Sequence, residues 1–260
     1  MTAEASFSPK RAYDKWSEWH HEHAHGLAKA DCHLYMKGRD RAGLLALPAS
    51  EKQLVNLPPF IDTKPFSGLE AGDGTRTTPI RLITVAMMRK DVKLKSYQFL
   101  AEALSGLRDL DWTLDIIGDG AARKDVQQAF PEDMSSRIDW HGQVAPEQIP
   151  VVLANADVFV WPGFGEAYGL AYLEAQASSL PVVAQNCTGV PEVVIHDQTG
   201  LLTNEGDLEA YRSALRDMIT NQPMVAQMGR AASEFVHTKR SAKTAEQTIR
   251  KTLNRTLGCV

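Results

Sequence analysis

The sequence predicts an α/β fold: a parallel, Rossmann-like sheet with helices on both faces, preceded by a short N-terminal portion. Three observations carry this. Short apolar runs recur at residues 80–88, 112–117, 138–141, 158–161, 182–184 and 199–202. Stretches with helical apolar spacing alternate with them, the order expected of a parallel sheet. Glycines mark the junctions where a strand passes into the next helix, as at Gly118, Gly120, Gly163, Gly169 and Gly189.

In chain order, residues 12–30 carry Tyr13, Trp16, Trp19, His20, His23 and Leu27 at helical spacing. Residues 33–36 read as a short strand, and 41–47 as helix or loop ended by Pro48. Leu57-Pro58-Pro59-Phe60-Ile61-Asp62 is extended, because each proline fixes φ and lacks a donor. The Gly/Thr-rich stretch 67–78 has no apolar period and reads as a linker. The strand at 80–88 is followed by a helix over about 94–107. Strand 112–117 passes through Gly118-Asp119-Gly120, a tight turn suited to positive φ, into a short helix. After strand 138–141 come Gly142-Gln143-Val144 and a helix opened by Pro146. Beyond the last strand, Asp207 caps a helix that buries Leu208, Tyr211, Leu215 and Met218 on one face. Pro223 opens the next helix, to about 237, and a final one covers about 241–257. The expected divisions are therefore 1–66, a linker at 67–78, the main domain at 79–237 and a C-terminal helix in 238–260.

The chain is organised around residues 157–196. A strand is stopped by Pro162 and Gly163; then come Glu166, a helix starting near Tyr168, a second strand, Gly189 and a short helical turn from Pro191. Ligands of such sheets bind at the carboxyl ends of strands, where these loops lie. Gly169 and Leu170 fall in the expected first turn, whose amides lack intrahelical partners and attract phosphate. Gly169 lets an anion approach the backbone closely. Glu174 lies five residues on, about 7–8 Å along the axis at ~1.5 Å per residue. That is the reach from a diphosphate to an attached ribose, with Glu166 on the other side of the anion. Ionised carboxylates only accept hydrogen bonds, which suits sugar hydroxyls. The inferred ligand is a nucleoside diphosphate carrying a sugar.

The pair Glu166/Glu174, the segment EAYGLAYLEAQASSLPVVA and the following GVPEVV and TGLL resemble the retaining glycosyltransferases of family 4, or group 1, of GT-B fold. The resemblance runs from about Leu57 to about Met228. It implies that residues 79–237 are the donor-binding half, residues 1–66 the remnant of an acceptor-side domain, and the 57–62 segment the passage between them. The last helices would lean back toward the N-terminal part. Glu166 would hold the sugar hydroxyls, Glu174 the ribose, and the Gly169 and Leu170 amides the diphosphate, with Tyr168 beside them. The family carries Gly-Arg and then a Lys after its first strand here. Arg89 matches the Arg, Met88 replaces the Gly, and both Lys93 and Lys95 compete for the Lys role. Cations there would neutralise charge that develops on the leaving diphosphate; otherwise they form a solvated basic loop. Gly118 and Gly120 would lie beside the nucleotide, a place their conformational role explains equally well. Gly142 and Val144 would present backbone to the base, whereas Trp140 reads as packing.

Composition is that of a soluble globular protein, 43% hydrophobic and 23% charged, and a net charge of −4 gives no reason to expect nucleic acid. No apolar run is long enough to span a membrane, and the polar N-terminus lacks a signal-peptide core. Cys32, Cys187 and Cys259 are odd in number and far apart, as reduced thiols would be. His21-Glu22-His23-Ala24-His25 matches H-E-x-x-H, but Ala28 and Asp31 stand where the extended zinc motif needs Gly and His. Four histidines within residues 20–25 make a chance match easy. Asp109-Leu110-Asp111 mimics a metal-binding DxD but precedes a strand, so it reads as surface charge.

The expected function is retaining transfer of a sugar from a nucleotide-diphospho-sugar to an unidentified hydroxyl, in glycan, polysaccharide or glycolipid synthesis. The resemblance implies that the leaving phosphate serves as base, so no side-chain triad is expected; separately, no cofactor or metal is needed. The acceptor is left open, a sugar or a lipid-linked sugar being the options. The expected location is the cytoplasm or, peripherally, the inner face of the membrane. Only some 60 residues precede the connecting segment, which leaves a fragment, a truncated product, or a donor half completed by a second chain. A nucleotide-sugar-binding module without activity is one alternative, and a zinc hydrolase using His21, Glu22 and His25 another.

Overall fold

The computed structural model describes residues 25–47, 49–68 and 79–258. They fall into two compact units: the residues up to Pro59 together with those from Ala242 onward, and Phe60–Ser241.

In the first unit, β1 (His33–Tyr35) leads through α1 (Gly38–Leu45) to β2 (Leu54–Asn56). The two strands pair in parallel, with His33 opposite Leu54 and Tyr35 opposite Asn56. The expected strand ends one residue early, and β2 was not expected, since Leu54-Val55-Asn56 is too short an apolar run to register. Arg41 on α1 pairs with Glu51 at 2.6 Å just before β2. Most of the helix expected over 12–30 lies outside the described residues, as do His21 and Glu22; residues 25–28, with His25, are helical.

The second unit holds a six-stranded sheet ordered β5-β4-β3-β6-β7-β8. Its strands are β3 (Ile80–Val85), β4 (Trp112–Ile117), β5 (Ile138–Gly142), β6 (Val158–Val160), β7 (Val182–Asn186) and β8 (Gly200–Asn204). All pairings are parallel. The helices between and after them are α2 (Val92–Ser105), α3 (Arg123–Ala129), α4 (Ile149–Ala154), α5 (Leu170–Ala177), α6 (Leu208–Thr220) and α7 (Gln222–Lys239). Right-handed crossovers put α2 and α3 on one face, joined by α6, and α4 and α5 on the other, joined by α7. This is the expected fold class. Its central strands are apolar almost throughout, because both faces are covered. In the first unit, α8 (Ala242–Leu257) completes the helices.

Boundaries moved where the backbone needed a cap or a turn. β3 stops at Val85, three residues before the apolar run ends, and Met88 bonds the turn after β4 instead, giving its amide to Asp119 and accepting from Ala122. Asp91 caps α2 by accepting from the Lys93 amide at 2.8 Å, which starts that helix two residues early. Asp207 caps α6 as expected, accepting from the Ala210 amide at 2.9 Å.

Three fully buried tyrosines tie helices to strands or to the residues just past them. Tyr97 of α2 donates its hydroxyl to the Ala86 carbonyl at 2.8 Å, just past β3. Tyr172 of α5 donates to the Trp161 carbonyl at 3.0 Å, just past β6. Tyr211 of α6 donates to the Val183 carbonyl of β7 at 3.1 Å. Burial pushes all three phenols well above their ordinary pKa. Each phenol combines a large apolar ring with a satisfied polar tip.

Candidate functional site

The sheet order reverses between β3 and β6: from β3 the chain winds outward to β4 and β5, then returns to β6 and winds the other way. A crevice opens at the carboxyl ends of the strands at such a reversal. Its walls here are the loop from Ala86 to Asp91 with the first turn of α2, and the loop from Trp161 to Gly169 with the first turn of α5.

Lys93, in the first turn of α2, and Glu166, in the second loop, meet across this crevice. Nζ of Lys93 donates to Oε2 of Glu166, and the two side chains are 15% and 19% exposed. Lys93 also lies over the Trp161 ring, 5.4 Å from its centroid. Lys95 points elsewhere, its Nζ over the Phe164 ring at 3.9 Å. Arg89 is more exposed and pairs with Asp91 at 3.0 Å. The geometry thus separates two lysines that the sequence left in competition: Lys93 faces the acid, and Lys95 caps an aromatic face.

The second loop is held in shape by Gly163, Gly165 and Gly169, all at positive φ. Helix α5 begins at Leu170, two residues later than expected, so Tyr168 lies outside it and Gly169 is its N-cap in the left-handed region. The expected reason for Gly169, close approach of an anion, is joined by another: a side chain there would overlap the Tyr172 ring. The first intrahelical bond runs from the Tyr172 amide to the Gly169 carbonyl at 2.9 Å. The Leu170 and Ala171 amides ahead of it have no partner within the helix. Glu166 leans against this start, its Cγ near where a Gly169 side chain would begin.

Glu174, one turn along α5, is half-buried, and its carboxylate has no hydrogen bond or ion pair among the described residues. Burial raises its pKa above the ordinary carboxylate value. A desolvated acid with unused acceptor capacity is costly to the free protein and suited to a hydroxyl-rich ligand.

The Gly118-Asp119-Gly120 turn is woven into the first loop. The Ala86 amide donates to Ile117 at 3.0 Å, the Met88 amide to Asp119 at 2.9 Å, and the Ala122 amide to Met88 at 2.9 Å. A Cβ on Gly118 or Gly120 would strike the Ala86 or Met88 carbonyl. Gly142 has φ +66° beside the Asp119–Arg123 ion pair, which spans 2.8 Å. Val144 is half-buried against the core. Trp140 packs edge-on to Phe130 with ring centroids 5.6 Å apart, as expected of a packing residue. Asp109 pairs with Arg216 on α6 at 2.9 Å, which lowers its pKa. Among the described residues no three His, Cys, Asp or Glu side chains gather into a metal-holding group.

Sequence reasoning missed the residues that brace the loop. The fully buried Ser96 hydroxyl donates to the Val92 carbonyl at 2.8 Å and accepts from the Phe164 amide at 3.1 Å, joining α2 to the Glu166 loop. Thr188 Oγ1 and the Gly189 amide donate to the Glu166 carbonyl, and the Cys187 thiol to the Gly163 carbonyl at 3.0 Å. A Cβ on Gly189 would overlap the Ala167 carbonyl. The only advance signal was Gly189 before Val-Pro-Glu; a serine inside a helix gives none. Ser96→Ala is expected to lower stability by ~1–3 kcal/mol, since the Phe164 amide loses its acceptor in the interior. Denaturant titration of both proteins checks this.

The family described as glycosyl transferases group 1 matches residues 79–221, more than half of the chain. The chain belongs to this family. Over 193 residues it is 30% identical to the GDP-mannose-dependent alpha-(1-6)-phosphatidylinositol monomannoside mannosyltransferase of Mycobacterium tuberculosis, covering 69% of this chain and 50% of that protein. Over 178 residues it is 31% identical to the D-inositol 3-phosphate glycosyltransferase of Corynebacterium glutamicum, covering 65% of this chain and 43% of the relative. The group 1 chain therefore spans about half the length of the curated relatives it matches. Among solved structures it is similar to Anabaena HepE in complex with UDP, with TM-score 0.77 and 17% identity, over 95% of this chain and 70% of that one. Sucrose-phosphate synthase of Thermosynechococcus elongatus gives TM-score 0.73 at 19% identity over 99% and 66%. These two likenesses establish the fold, the parallel sheet of GT-B proteins with helices on both sides. No helix among the described residues is long and apolar enough to cross a membrane.

Proposed function

We propose that the crevice between β3 and β6 binds a nucleotide-diphospho-sugar, and that the chain takes part in retaining transfer of its sugar to an acceptor hydroxyl. The observation carrying this is the arrangement around the start of α5: first-turn amides without a partner in the helix, Lys93 and Glu166 beside them, and Glu174, unpaired among the described residues, one turn on. Amides and an ammonium fit a diphosphate, and two carboxylates fit hydroxyls on either side of it. Glu174 takes the ribose and Glu166 the sugar, with Lys93 on the phosphates. Arg89 reaches the diphosphate by exchanging Asp91 for it, whereas Lys95 stays on Phe164. Tyr168 flanks the diphosphate, the Gly118 and Gly120 turn borders the nucleotide, and backbone at Gly142 and Val144 faces the base. The names of the relatives above point to GDP- and UDP-sugars as the first donors to try.

Thermal melting with UDP, GDP, ADP and their sugars tests this, because a ligand that binds only the folded state stabilises it by mass action. One nucleoside diphosphate should raise the melting temperature, and its sugar conjugate should raise it further. Glu166→Ala is expected to lose the extra shift due to the sugar and to retain at least that of the nucleoside diphosphate. Equal shifts in wild type and variant would refute the assignment of Glu166. Transfer of labelled sugar to an added acceptor separates an active chain from one that only binds.

A further inference from the structure

The Lys93–Glu166 pair has a property that binding alone does not require. In the free protein the ammonium already sits on a carboxylate, and both are largely withdrawn from water. The backbone from which the Glu166 side chain projects is fixed on both sides. Its amide donates to the Gly163 carbonyl at 3.0 Å, and its own carbonyl accepts from Thr188 and Gly189. Among the described residues, Lys93 is the only cation paired with its carboxylate.

We infer that this ion pair determines specificity, setting the preference of the site for a sugar-bearing nucleotide over the bare nucleoside diphosphate. The inference rests on the donor site proposed above. A diphosphate at the start of α5 draws Lys93 away from Glu166, since a phosphate oxygen is an equally good acceptor that carries more charge. Glu166 is then left without its counter-charge, poorly solvated, and beside a second anion. Like charges in such a place repel strongly. A sugar on the diphosphate changes the balance. Its hydroxyls donate to the vacated carboxylate, which is satisfied again. The bare nucleoside diphosphate, which is also what transfer leaves behind, bears the whole cost of opening the pair. The same contact that admits the donor thereby helps to expel the product.

Isothermal titration of the purified chain with UDP, UDP-glucose, GDP and GDP-mannose tests this. Glu166→Gln keeps the size of the side chain and removes its charge. It is expected to bind the bare nucleoside diphosphate roughly five- to tenfold more tightly, while the preference for the sugar conjugate falls by at least as much. In a Lys93→Met background the same substitution should tighten binding less, because only the repulsion between Glu166 and the diphosphate is left to relieve and there is no ion pair to open. If Glu166→Gln leaves the affinity for the bare nucleoside diphosphate unchanged or weaker, while wild type still binds the sugar nucleotide, this inference is overturned and the donor site stands. Full tightening in the Lys93→Met background also overturns it. If none of the four ligands binds wild type, both the inference and the donor site fall.

Discussion

Glu174→Ala is expected to weaken nucleoside diphosphate binding by about 100-fold while leaving the free protein at least as stable as wild type. The two halves of this outcome share one cause. The Glu174 carboxylate is half-buried and has no partner among the described residues, so the free fold gains nothing from it. A ribose offers it neighbouring hydroxyl donors, and hydrogen bonds to a charged group contribute about 1.5–3 kcal/mol each. Losing about 3 kcal/mol corresponds to roughly two decades in affinity. Titration calorimetry and melting curves on the same samples read both effects, and unchanged affinity would remove Glu174 from the site. The acid's raised pKa sets the sign of the pH dependence. Only the ionised form offers both oxygens as acceptors, so donor affinity falls as pH drops through that raised pKa. Stability of the free fold moves the other way over this range, because the folded chain holds the proton more tightly than the unfolded one. Glu174→Gln should abolish the fall in affinity.

The second large effect is on the frame. Gly118→Ala is expected to destabilise the Phe60–Ser241 unit by about 2–6 kcal/mol. Its φ of +141° is strained for any other residue, at ~1–3 kcal/mol. The new methyl would also collide with the Ala86 carbonyl, a backbone atom already engaged by Tyr97. Overpacking of this kind adds ~1–3 kcal/mol. Gly206 is the control: its φ is +81° but nothing lies within 4 Å of an added Cβ. Gly206→Ala should therefore show only the smaller conformational cost, and equal losses in the two variants would refute the collision argument. Chemical denaturation reports both.

Most of the sheet was legible because its strands are buried on both faces and read as unbroken apolar runs. Trp112–Ile117 needed no adjustment at either end. Ile80–Val85 did, because Ala86, Met87 and Met88 look like strand, yet Met88 gives its amide to Asp119 and its carbonyl to the Ala122 amide in the neighbouring turn. The spacing of Glu166 and Glu174 could be read because it is a local property of one loop and one helix. The choice between Lys93 and Lys95 could not be made from spacing, since it depends on which side of α2 faces a loop more than seventy residues away. Ser96 was invisible for the same reason: its role is a bond to the distant Phe164 amide. The pairing of His33–Tyr35 with Leu54–Asn56 was missed because three residues carry too little pattern.

The tyrosine hydroxyls bound at Ala86 and Trp161, just past β3 and β6, anchor the rim of the crevice from inside the molecule, and the one bound at Val183 holds α6 to β7 behind it. None of the three depends on a side chain that a ligand would touch. Residues on the outer lip, such as Met87 and Leu170, are open to solvent and carry none of that anchoring. Drift at the lip can therefore re-address this architecture to a different cargo without loosening its foundations, whereas a change at any of the three phenols would be felt by every ligand alike.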